Sequence, residues 1–81
     1  MPIEELRGKI DRVDRRIVEL LEERVELAGK IGVAKRRRGL PMADPNRERE
    51  VLIRVTENTS LNKGFVRKLF EYIIGYCREN E

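Results

Sequence analysis

At 81 residues the chain has room for one domain with a modest core, and chains this short usually depend on disulfides, a metal or a partner subunit for stability. One cysteine, Cys77, and no histidine exclude a disulfide framework and metal sites of the usual Cys/His kind, so a second subunit is the support that remains. The 18 basic and 15 acidic residues are interspersed, and the net charge of +3 reads equally as a solvated mixed-charge surface or as a slight excess suited to a small anionic substrate.

No apolar run approaches the roughly 20 residues that span a bilayer. The opening MPIEELRGK is charged from its fourth residue, unlike a signal peptide, so a cytoplasmic protein is expected. Charged residues make up 41% of the chain and glutamine is absent, a balance met in thermophilic proteins with ion-pair networks.

From Ile3 to about Arg36 there is no proline, and apolar residues fall at Ile3, Leu6, Ile10, Val13, Ile17, Leu20, Leu27, Ile31 and Ala34. The steps alternate three and four, which predicts one helix roughly 50 Å long. Gly39 and Pro41 end the pattern, with Arg37 and Arg38 at the negative end of the helix dipole. After a loop to Ala43, Asp44-Pro45 reads as an N-cap followed by proline at the first helical position. A second helix is expected from there to about Glu57, with Val51, Leu52 and Val55 inward. Asn58-Thr59-Ser60 interrupts, and a third helix is expected from Leu61 or Asn62, carrying Phe65, Val66, Leu69, Phe70, Ile73, Ile74 and Cys77 on one stripe.

The expected fold is therefore all-α, a single domain over 1–81 with one long, one short and one medium helix. Two short helices cannot cover the rod, so two chains intertwined as a helical dimer are expected.

Several charged residues interrupt these stripes. Arg24 stands where the first stripe expects an apolar residue, and its head must either reach solvent along its stem or meet an anion inside the bundle. Lys35, eleven residues on, returns to nearly the same face about 16 Å away. Glu48 projects from the apolar face of the second helix with Arg47 on its flank, either as an ion-pair partner or as part of a site. Glu81 continues the stripe of Cys77 on the third, as a solvated end or as a site residue. Together they imply a polar pocket able to bind and polarise an anion, without the triad, histidine or Gly-rich phosphate loop of other chemistries.

The first helix reads L-R-G-K-I-D-x-x-D-R-R-I-V-E-L-L-E-E-R-x-E-L-A-x-K-I-G-x-A-K, and the second opens P-M-A-D-P-N-R-E-R-E. Both resemble the all-helical chorismate mutases in residues and spacing, over essentially the whole chain. The resemblance implies the rearrangement of chorismate to prephenate in phenylalanine and tyrosine biosynthesis, with no cofactor and no metal. It implies Lys35, Glu48 and Glu81 as catalytic residues. It assigns Arg7, Arg24, Arg47, the backbone at Asp44, and Cys77 to substrate binding, with Cys77 otherwise a small buried apolar residue. It also implies a domain-swapped homodimer in which Arg7 serves the partner's pocket. In agreement, Arg7 and Arg24 lie about 25 Å apart on one helix and cannot both reach a ten-carbon diacid.

Two other readings compete. An isochorismate pyruvate lyase of the same fold would share the cationic pocket, but Glu48 matches the mutase pattern. A non-catalytic helical dimer would use the Lys35-Arg36-Arg37-Arg38 run to bind nucleic acid or a partner protein, against which stand the nearby acids and the lack of interleaved aromatics.

Overall fold

The computed structural model describes residues 2–81 as three helices: α1 (Ile3–Arg38), α2 (Pro45–Glu57) and α3 (Lys63–Glu79). No strand is present among the described residues. None of the helices is long and apolar enough to cross a membrane.

The helix ends follow local chemistry. Glu4 and Glu5 lie in the first turn of α1, and Lys35 to Arg38 lie in its last, each complementing the helix dipole. The helix runs two residues past the expected Arg36 because it stops at a left-handed glycine and not at its last apolar residue. Gly39 adopts φ 67°, its N–H donates to the Arg36 carbonyl at 3.3 Å, and the Leu40 N–H donates to the Lys35 carbonyl at 2.9 Å. Asp44 caps α2, its carboxylate accepting the Arg47 N–H at 3.1 Å, and Pro45 occupies the first turn, where no amide hydrogen is needed. Asn62 caps α3 through a 2.9 Å hydrogen bond from the Phe65 N–H, so that helix opens at Lys63, just beyond the expected Leu61 or Asn62.

α3 is the element that packs against both others, lying on α2 and on the C-terminal half of α1. The buried residues are few: Ala28 and Gly32 from α1, and Val66, Ile74 and Cys77 from α3. Val51, Leu52 and Val55 of α2 are half-buried. Along the free half of α1, Ile3, Leu6, Ile10, Val13, Ile17 and Leu20 are between 42% and 65% exposed.

The shape departs from that of a self-sufficient domain. The radius of gyration is 15.9 Å, against about 12 Å for a compact chain of this length. The accessible surface is 6875 Å², against about 5,100 Å² for a compact protein of this mass. The exposed apolar residues of the α1 stripe belong to this surface, which water penalises at about 25 cal/mol per Å² of apolar area.

Asn62→Ala removes the acceptor for the Phe65 N–H at the start of α3. It is expected to cost about 1 kcal/mol, read as a lower urea midpoint at fixed protein concentration with helix content unchanged.

Candidate functional site

α1, α2 and α3 enclose a cleft of about 250 Å³. Of the eight site residues expected from the sequence, seven line it: Arg24 and Lys35 from α1, Asp44, Arg47 and Glu48 around the start of α2, and Cys77 and Glu81 from α3 and its end. Arg7 does not. It lies near the start of α1, exposed, and pairs with Glu4 at 3.0 Å. The apolar wall of the cleft comes from Leu27, Ala28, Ile31, Val51 and Ile74.

The polar groups of the cleft are mostly held by one another. Lys35 donates from Nζ to the Met42 carbonyl at 2.9 Å and lies 3.9 Å from Glu81 Oε2; both side chains are largely buried, at 18% and 13% exposure. An ammonium has three donors, and the 3.9 Å Glu81 contact is an ion pair and not a hydrogen bond, so two are left to aim into the cleft. Glu81 thus lines the cleft with its side chain 13% exposed. Arg78 donates from Nη1 to both carboxylate oxygens of Glu48, at 3.1 and 2.9 Å. Asp44 spends a carboxylate oxygen on its cap, and Arg47 turns towards Glu50 at 3.4 Å.

Arg24 is the exception. Its Nη1 donates to the Cys77 sulfur at 3.0 Å, and no carboxylate pairs with it among the described residues. A thiol is a weak acceptor, so most of the hydrogen-bonding capacity of this part-buried guanidinium remains unspent. Of the two possibilities open for Arg24, reaching solvent or meeting an anion, the cleft provides room for the second. The buried thiol of Cys77, 3% exposed, is both a small core residue and the group beside that guanidinium.

Two cleft-lining residues lay outside sequence reasoning. Arg78 follows Cys77 directly and so sits about 100° around the helix from the apolar stripe, and only its long stem returns the guanidinium to Glu48. Met42 contributes through a backbone carbonyl, which leaves no signature in the side-chain pattern. Among the described residues no group of three His, Cys, Asp or Glu side chains is placed to hold a metal ion.

The family model for chorismate mutase type II matches residues 6–81. The chorismate mutase of Methanocaldococcus jannaschii is 35% identical over 75 residues, covering 86% of this chain and 74% of that protein. The bifunctional chorismate mutase/prephenate dehydratase of Aquifex aeolicus is 45% identical over 53 residues, which are 65% of this chain but 15% of that protein. The chain therefore spans a small part of the bifunctional relative. Among solved structures, form II of the chorismate mutase of Thermus thermophilus superposes with a TM-score of 0.90 at 38% identity, covering 95% of this chain and 90% of that one.

The Glu48–Arg78 pair is well formed but partly open to water, with side-chain exposures of 31% and 53%. A double-mutant cycle with Glu48→Gln and Arg78→Ala is expected to give a coupling to stability of about 0.2–1 kcal/mol. A coupling several times larger would mean that the pair is desolvated in the assembled protein.

Proposed function

The chain belongs to the chorismate mutase type II family, and on that premise we propose that it converts chorismate to prephenate in the α1–α2–α3 cleft, working as a homodimer with residues 1–81 as the mutase domain. The observation that carries the reading is Arg24, a part-buried guanidinium with no carboxylate partner among the described residues, facing a cleft whose other polar groups are already oriented.

The reaction is a unimolecular Claisen rearrangement: a carbon–oxygen bond breaks as a carbon–carbon bond forms, with no covalent enzyme intermediate. The protein has to hold the reactive conformer and stabilise negative charge on the departing ether oxygen. Arg24 binds one substrate carboxylate and the partner subunit's Arg7 the other, while Arg47 and the backbone at Asp44 complete the anion site. Lys35, already anchored on the Met42 carbonyl, donates one of its free N–H groups to the ether oxygen. Glu81 is the second donor there, a role that requires a carboxyl proton. Glu48, its carboxylate steadied by Arg78, accepts from the ring hydroxyl. Cys77 shapes the floor beneath Arg24. One such donor contributes about 3–4 kcal/mol, so two donors with orientation account for the roughly 8 kcal/mol at the low end of enzymatic acceleration.

Homodimerisation is supported by the bare α1 stripe. An excess surface of about 1,800 Å² per chain, covered in a pair, falls within the 2,000–5,000 Å² of obligate interfaces. The same reading includes a cytoplasmic setting, where a thiol such as that of Cys77 stays reduced, and the charge-rich surface of a thermophile.

The test is the loss of chorismate absorbance with purified protein, the product being checked as prephenate. Lys35→Ala is expected to lower kcat by about 10²–10³ while the helical dimer persists. Release of pyruvate would move the protein to the lyase of the same fold, and no turnover by wild type from pH 4 to 8 would leave a helical binding module. Shared sites make a separate prediction. Arg7→Ala and Arg24→Ala should each be nearly inactive, yet mixing them with subunit exchange should restore roughly a quarter of wild-type activity, because half the dimers then carry one intact site. Absence of any recovery would exclude donation of Arg7 across the dimer.

A further inference from the structure

α1 contains three interior glycines, Gly8, Gly29 and Gly32, and glycine weakens a helix interior relative to alanine. Their surroundings differ. A Cβ added to Gly8 or Gly29 meets nothing within 4 Å, whereas at Gly32 it would lie 3.0 Å from the backbone carbonyl carbon and the Cβ of Glu81 and 3.2 Å from its Cα. Gly32 is buried. Contacts that short are tighter than ordinary van der Waals packing tolerates, and here the atoms in the way are mostly backbone.

The same stretch of α1 grips Glu81 on either side of this gap. Arg36, one turn further on, donates to the Glu81 carbonyl at 3.3 Å, and the Lys35 ammonium is 3.9 Å from its carboxylate. From α3, the Arg78 carbonyl accepts the Glu81 N–H at 3.5 Å. Glu81 lies beyond the end of α3 and is tied to it only by that long bond, so its position depends chiefly on what it rests against.

We infer that Gly32 is a positioning residue for Glu81: the missing side chain is a seat that lets the backbone of the last residue of the sequence rest against α1, directing its carboxyl group into the cleft. This rests on the proposed mutase reading, in which Glu81 is the second donor to the ether oxygen. A side chain at position 32 lifts Glu81 off the helix by tenths of an ångström or more, and misplacing a donor by about 1 Å can cost 10²-fold in rate.

The experiment compares wild type, Gly29→Ala, Gly32→Ala, Glu81→Ala and the Gly32→Ala/Glu81→Ala double variant in kcat, KM and melting temperature, with the heteronuclear NOE of the Glu81 amide measured alongside. Gly32→Ala is expected to keep or raise the melting temperature, as Gly29→Ala does, while kcat falls about tenfold to a hundredfold towards that of Glu81→Ala. The double variant is expected to be no slower than Glu81→Ala alone, since both changes remove the same donor. The Glu81 NOE should drop in Gly32→Ala. Wild-type kcat in Gly32→Ala, a full additional loss in the double variant, or an undiminished Glu81 NOE would each overturn the assignment. So would a fall in melting temperature larger than that of Glu81→Ala, which would mean that position 32 packs against something else. Wild type without turnover, but with an ordered Glu81 that Gly32→Ala loosens, would reject the proposed reaction and leave the seat standing.

Discussion

A helix of 36 residues is about 54 Å long, and the 13 residues of α2 and 17 of α3 cannot cover it. That geometric constraint organises the molecule. α3 lies along the C-terminal half of α1 with α2 packed on α3, which leaves the other half of α1 bare, with its apolar residues in water. Few side chains are buried to offset the chain entropy of ordering these helices. The same constraint leaves the cleft open on one side and sets Arg7 far from it.

Within the cleft, charges stand where a small protein could have gained stability from apolar packing. Lys35 and Glu81 are largely buried, and removing either from water costs energy that their 3.9 Å separation only partly returns. The arrangement makes sense as preorganisation: Lys35 on Met42, Glu48 on Arg78, and Asp44 on its cap are each oriented before any ligand arrives. Arg24 keeps most of its capacity in reserve, against a sulfur that competes weakly for it. In the proposed rearrangement that reserve is the useful part, because carboxylate binding would select the reactive conformer without histidine or metal.

Gly32 illustrates a related compromise. Alanine there would favour the helix by about 0.5–1 kcal/mol, yet the space is occupied by Glu81, whose N–H reaches α3 only through a 3.5 Å hydrogen bond to the Arg78 carbonyl. Stability of α1 is given up locally so that a residue beyond α3 can rest in contact with it, joining the two ends of the site across 49 positions of sequence.

The sequence by itself determined the three helices and nearly all of their boundaries, because helical periodicity, an Asp-Pro cap and a left-handed glycine are local chemistry that needs no partner. It also determined that Arg24, Lys35, Glu48 and Glu81 share the apolar faces of their helices, since side chains at three- and four-residue spacing point the same way on any helix. The grip of Arg78 on Glu48, the Cys77 sulfur beside Arg24, the Met42 carbonyl under Lys35 and the seat of Glu81 on Gly32 were decided only by the tertiary structure. All but the Met42 contact, which joins α1 to the loop that follows it, depend on how closely α3 approaches α1 and α2. That distance is set by packing between residues far apart in the chain, which a periodic pattern along one helix does not encode.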